Sequence, residues 1–373
     1  MASGTPAALN ALNLTMIRSM LRLYAQWGRP GSGVRCVVAF CAGGDVKSNV
    51  LSARAGDTAS ALEFFREEYT MNHVIGCFGV PHVALLDGIV MGGGAGAAMH
   101  GGFRVATERT LFAMPETAIG LFPDVGMMQL LAVLPGEVGP WLALTGARLK
   151  GHAVKEVGLA THYLPSAALP DLMARLRALG PAAADASAVA AALAAAEAAA
   201  AAAGAPPLRE IARRRPLIDA LFACGRGGGA APGGAARVLR AVRGAAAGAE
   251  AEDAAWLRET QQQLERASPL SLAVTWEYMR RARAGRIGLA DCLEADWALV
   301  CHFVAGDADY WEGVRARLID KDETPAWKFA AVEDVGDADV ERLLALPPGQ
   351  RPLGLRRGGG GGGGGGGEGS SRL

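Results

Sequence analysis

The chain has 373 residues, enough for one large domain or two smaller ones with a substantial core. Lys plus Arg and Asp plus Glu each total 37, so the net charge is zero. That balance argues against a general binder of nucleic-acid backbone, which needs a basic surplus. Six scattered cysteines (Cys36, Cys41, Cys77, Cys224, Cys292 and Cys301) include no C-x-x-C pair. They read as reduced, buried thiols rather than a disulfide framework or zinc site. The six histidines lack metal-ligand spacing. No secretory signal and no run of about 20 strongly apolar residues is visible, so no membrane span is expected.

In chain order, residues 9–27 read as an amphipathic helix capped by Asn13, with Met16, Ile17, Met20, Leu21 and Tyr24 at helical spacing. A Gly/Pro turn leads to a short β-branched run, Val34 to Val38, that suits a buried strand. Residues 59–76 read as helix, His82 to Leu86 as strand, Ala97 to His100 as a helical turn and Leu111 to Ala113 as strand. Strands alternating with helices predict a mainly parallel α/β core. Residues 181–207 are alanine-rich and low in complexity, a helix or linker without chemistry of its own, and Gly225 to Gly234 reads as a loop. Helical patterns resume over 253–284 and 289–303, with Trp297, Trp311 and Trp327 packing the C-terminal helices. The glycine tract 358–367 cannot bury apolar surface and is expected to be disordered. The domain reading is therefore a core over 1–180, an Ala/Gly-rich insert over 181–250, a helical region over 251–335 and a disordered tail over 336–373.

Three segments carry candidate chemistry: Phe40 to Asp45, Gly88 to Gly94, and Met114 through Asp124. The first two follow apolar runs and place small residues at a turn, where a backbone N–H can approach a ligand closely. One N–H from each turn, the second near a helix start at Gly94, can converge on the carbonyl oxygen of a thioester or similar group. The third segment supplies two carboxyls, Glu116 and Asp124. Eight extended residues would separate them by roughly 27 Å. Gly120 and Pro123 between them favour a fold-back. Apolar neighbours would push these carboxyls toward the neutral form, which suits a divided acid and base role.

The runs FCAGGDVKSN, FFREEY, VALLDGIVMGGGAG, FRVATE, LFAMPETAIGLFPDVG, LALTGARLKG and GVRARLIDKDETPAWK resemble the 3-hydroxyisobutyryl-CoA hydrolases of the crotonase (enoyl-CoA hydratase/isomerase) superfamily. The resemblance runs from about Leu9 to Trp327, with a poor patch near 181–250. It implies an α/β fold with a ββα spiral core and a C-terminal helical region. It also implies hydrolysis of a short 3-hydroxyacyl-CoA to free coenzyme A and hydroxy acid, with the acyl-CoA as partner, no metal and no separate cofactor. On this resemblance Gly44 and Gly93 are the oxyanion donors, Glu116 is the catalytic glutamate and Asp124 is the second acidic residue. Glu68 contacts substrate near the acyl group, and Asp45, next to Gly44, joins the substrate-binding set. Gly96 stands where hydratases carry their second glutamate, which favours hydrolysis over hydration.

Two departures from the family are expected to matter. Almost nothing precedes Leu9 to Leu12, so the core reads as N-terminally shortened, and the turn before Phe40 is short, which would displace Gly44 and lower activity. The tail Ser371-Arg372-Leu373 resembles a peroxisomal address, while family members are often mitochondrial. Competing readings are hydratase or isomerase chemistry, a non-catalytic acyl-CoA-binding scaffold, and a dinucleotide fingerprint in Gly92 to Ala97. The last leaves the other two segments unexplained. Oligomeric state is open.

Overall fold

The run His82–Leu86 is buried at every position because packed side chains cover both of its faces. A computed structural model describes residues 11–29, 31–39, 43–44, 50–51, 56–201, 210–224, 234–248 and 251–356. Its strands are β1 (Ala11–Leu12), β2 (Val37–Ala39), β3 (Gly43–Gly44), β4 (His82–Leu86), β5 (Ile89–Met91), β6 (Phe103–Ala106), β7 (Leu111–Ala113), β8 (Leu149–Lys150) and β9 (His162–Tyr163). A parallel sheet runs β2-β4-β6-β9. A second sheet runs β5-β7-β8, parallel between β5 and β7 and antiparallel at β8, and β1 pairs parallel with β3.

The chain passes from sheet to sheet at sharp corners. β4 leads through Asp87-Gly88 into β5 and then into helix α3 (Gly93–Met99), and β6 leads through a Thr107–Thr110 turn into β7. Asp87 joins the two corners, accepting from the Thr107 hydroxyl at 2.7 Å and from Arg109 Nε at 2.9 Å. Two strands and a helix repeated in this way form the expected ββα spiral.

Helix α1 (Leu14–Trp27) starts where Asn13 accepts from the Met16 N–H at 2.9 Å, as its sequence predicts. It packs on α2 (Thr58–Gly76), which in turn lies against the C-terminal helix α13 (Leu289–Ala305). Between them the chain forms α4 (Met127–Ala132), α5 (Val138–Thr145), α6 (His152–Glu156), α7 (Leu169–Ala178), α8 (Ala186–Ala201), α9 (Glu210–Leu221), α10 (Gly234–Ala247), α11 (Ala251–Arg266) and α12 (Pro269–Gly285). Two short helices follow, α14 (Tyr310–Val314) and α15 (Asp337–Leu344). No helix of the described residues is long and apolar enough to cross a membrane.

Several boundaries differ from the sequence reading. The described parts of the stretch 181–250 contribute to the core. Val189 and Leu193 of α8, one turn apart, cover the outer sheet face at Val83, Leu85 and Val105, and the intervening alanines keep that helix narrow. Ile218, Phe222, Val238 and Val242 enter the main core. The single helix expected over 253–284 breaks at Ser268-Pro269, because proline cannot continue a helical ladder. Ser268 caps the new helix by accepting from the Ser271 N–H at 3.0 Å. Order also extends past 336: α15 buries Val340 and Leu343, and Glu294 accepts the N–H groups of Leu353, Gly354 and Leu355. The glycine tract, Cys41 and Asp45 lie outside the described residues. Among those described, Cys224, Cys292 and Cys301 are buried, whereas Cys77 is exposed. Trp297 is buried on α13, with the Arg66 guanidinium 4.4 Å above its ring; Trp311 and Trp327 are only half-buried.

A core role for the region after α9 makes Phe222 a sensitive position. Truncating Phe222→Ala is expected to lower unfolding free energy by about 3–5 kcal/mol. Denaturant titration checks this, and a change below about 0.5 kcal/mol would return the segment to a surface linker.

Candidate active site

Pro115 ends the β7 exit and starts a single 3-10 turn over Glu116–Ile119. Gly120 closes it at φ +69, a left-handed conformation where a Cβ would strike the Asp309 carbonyl oxygen at 2.3 Å. The Leu121 N–H then donates back to the Glu116 carbonyl at 3.0 Å, so the chain reverses as the sequence predicts. This reversal carries Glu116 and Asp124 into the interior, each only 4% exposed. A Cβ built on Gly92 would lie 3.2 Å from Glu116 Oε1, which sets that carboxyl against the turn that opens α3. Glu116 Oε2 has no hydrogen-bond partner among the described residues.

Gly93 is the first residue of α3, one position earlier than expected, so its N–H has no acceptor within the helix. The Gly43–Gly44 strand packs on both α3 and β5, and Gly44 itself is held in register with Leu12. The two glycine segments are thus neighbours, and Glu116 lies against the second.

Asp124 opens a strained turn. Val125 has φ +53, unusual for a β-branched residue, and Gly126 follows at φ +76. Three contacts hold this turn. The Tyr69 hydroxyl donates to Asp124 Oδ2 at 2.8 Å, and His100 Nε2 donates to the Val125 carbonyl at 2.6 Å. The Gly126 N–H donates to Asp296 Oδ2 at 2.7 Å, while the Tyr278 hydroxyl donates to Oδ1 of the same side chain at 2.8 Å. Burial keeps the His100 imidazole neutral, with its pKa pushed down to about 4.

Glu68, on α2, is also buried, and its Oε1 lacks a partner among the described residues. Burial pushes Glu68, Glu116 and Asp296 well above the usual carboxyl range, and in each the charge of Asp124 adds to the effect. Burial raises Asp124 to about 7, while the Tyr69 hydroxyl and backbone donors pull it back. A shared set of this kind cannot ionise fully near neutrality, so one member can keep a proton while another is charged. Among the described residues no group of three or more His, Cys, Asp and Glu is arranged to hold a metal.

The predicted residues Glu68, Gly93, Glu116 and Asp124 therefore belong to one buried region with Gly44 beside it; Asp45 falls outside the described residues. Sequence reasoning missed Tyr69, Asn72, His100 and Asp296. Tyr69 and Asn72 had one available signal, since they lie one and four residues after Glu68 on a predicted helix. Asp296 had none.

A folded-back MPE segment, two neighbouring glycine segments and a ββα spiral define an acyl-thioester enzyme of the crotonase type. A family model described as enoyl-CoA hydratase/isomerase matches residues 4–344, and the chain belongs to that family. It is similar to 3-hydroxyisobutyryl-CoA hydrolase 1 of Arabidopsis thaliana, 38% identical over 352 residues that cover 90% of this chain and 86% of that one. It is also similar to the mitochondrial 3-hydroxyisobutyryl-CoA hydrolase of Danio rerio, 37% identical with 90% and 84% covered. Among solved structures, a carnitinyl-CoA dehydratase from Mycobacterium thermoresistibile superposes with TM-score 0.78 at 34% identity, covering 94% of each chain.

The Tyr69 contact gives a signed pH prediction. The hydroxyl stabilises the charged form of Asp124, so Tyr69→Phe raises the Asp124 pKa further above 7. The limb of the kcat/KM profile that vanishes in Asp124→Asn should move up by about one pH unit in Tyr69→Phe. A limb that stays in place, or moves down, contradicts the assignment.

Proposed function

We propose that this chain hydrolyses the thioester of 3-hydroxyisobutyryl-CoA, or a closely similar short 3-hydroxyacyl-CoA, to free coenzyme A and the hydroxy acid. The observation that carries this reading is the Glu116 carboxyl, buried against Gly92 with one oxygen unpartnered among the described residues. The names of the Arabidopsis and Danio relatives agree with it.

In this reading the thioester oxygen accepts from the N–H groups of Gly44 and Gly93. Each donor of such a pair contributes about 3 kcal/mol to a developing oxyanion. Glu116 then attacks the carbonyl carbon, expelling the thiolate and leaving a mixed anhydride for water to open, or it deprotonates the attacking water directly. Asp124 and Glu68 orient the acyl group and hold the protons that the thiolate and the acid product need. Single turnover in ¹⁸O-water separates the routes, because only the anhydride carries label into the Glu116 carboxyl. Water addition to an enoyl thioester would require a second acidic side chain at position 96, and Gly96 has none.

Coenzyme A thioesters of this kind belong to valine breakdown, and an organellar address fits. The Danio relative is named mitochondrial, and Ser371-Arg372-Leu373 would direct the chain to peroxisomes. Deleting those three residues from an N-terminally tagged protein distinguishes the two: relocation supports the peroxisomal address, and an unchanged location removes it.

The catalytic assignment is tested by Glu116→Ala in a thiol-release assay. Release is expected to fall at least a hundredfold. A variant as fast as the parent would leave a non-catalytic acyl-CoA-binding scaffold as the better reading.

A further inference from the structure

Asn72 is fully buried on α2, and neither its Oδ1 nor its Nδ2 has a hydrogen-bond partner among the described residues. Buried primary amides are nearly always paired, so two orphaned atoms on one side chain call for a polar occupant. The amide lies over the α-carbon of Gly96. A Cβ there would meet Nδ2 at 2.8 Å and Oδ1 at 2.9 Å, with the Val125 Cβ at 2.7 Å. Any side chain at 96 would expel the amide, so Gly96 and Asn72 are specified together.

The position relative to the reacting carboxyl follows from helix geometry. Gly92 is the residue that opens α3 and Gly96 is the fourth residue within it, so the two stand about 6 Å apart along the helix. Glu116 lies over the first and Asn72 over the second. A thioester carbonyl at the Gly93 end would lie within reach of Asn72 for a short acyl chain. A hydroxyl on the third carbon stands three bonds from the carbonyl carbon, which is that range. Glu68, one turn before Asn72 on α2, brings a second unpartnered oxygen to the same wall. An alcohol both donates and accepts, and a primary amide offers both complements.

We propose that the side-chain amide of Asn72 recognises the 3-hydroxyl group of the acyl substrate and makes the chain selective for 3-hydroxyacyl thioesters over their unsubstituted counterparts. The inference rests on the thioester hydrolysis proposed above. Selectivity of this form is strong in principle, because a substrate lacking the hydroxyl leaves the buried amide unpaired.

The test compares kcat/KM for 3-hydroxyisobutyryl-CoA and isobutyryl-CoA by thiol release, in the parent, Asn72→Leu and Asn72→Ser. The parent should prefer the hydroxyacyl thioester, and Asn72→Leu should reduce that preference at least tenfold. Asn72→Ser keeps a shorter hydroxyl and should reduce it in the same direction by a smaller factor. It decides the matter alone if the leucine variant does not fold. A folded variant whose preference stays within about threefold of the parent overturns the assignment and leaves Asn72 a structural amide. A parent that releases thiol from neither thioester overturns the hydrolase reading itself, a different result from an unchanged ratio.

Discussion

The carboxyl group of Glu116 lies against the backbone of Gly92, closer than a side chain at 92 would comfortably allow. Gly92 itself sits at φ +49, a conformation that glycine tolerates and other residues rarely adopt. Those two facts set a carboxyl against the turn from which Gly93 opens α3. The rest of the site serves that contact: Gly120 reverses the chain so that Glu116 can reach, and Pro115 fixes where the reversal begins.

Holding this arrangement costs free energy, since four carboxyls are buried around one another and Val125 is strained. The C-terminal helices hold the turn in place. Asp296 on α13 ties down the Gly126 N–H, and Phe122 packs edge-to-face on Phe303 with ring centres 5.3 Å apart. The helical region thus braces the turn that follows Asp124. Asp124 is the electrostatic hub, because its charge raises the proton affinity of Glu68, Glu116 and Asp296 together. Its own ionisation near neutrality therefore controls how protons are distributed across the site.

What was legible in the sequence lay in contiguous runs. The Glu116 to Asp124 reversal could be read from Gly120, the α1 cap from Asn13, and the strands from short apolar runs. Contacts between distant segments could not be read. Nothing local marks Asp296 as the partner of Gly126, 170 residues away. Composition also concealed real signals. Val189 and Leu193 stand at helical spacing, but alanine around them looked like low complexity, and a neighbouring glycine tract hid the amphipathic Asp337–Leu344 helix. The break at Ser268-Pro269 carried a plain N-cap signal that the longer apolar rhythm masked.

The account turns on the polarisation of one carbonyl by two main-chain amides. Its most direct test is difference infrared spectroscopy of a ¹³C-labelled thioester carbonyl of 3-hydroxyisobutyryl-CoA bound to Glu116→Gln, which retains the side-chain shape while slowing turnover. The account predicts that the bound C=O stretch falls to lower frequency than in free solution. A band at the solution frequency would mean that Gly44 and Gly93 do not meet the substrate oxygen, and the mechanism built on them would be wrong.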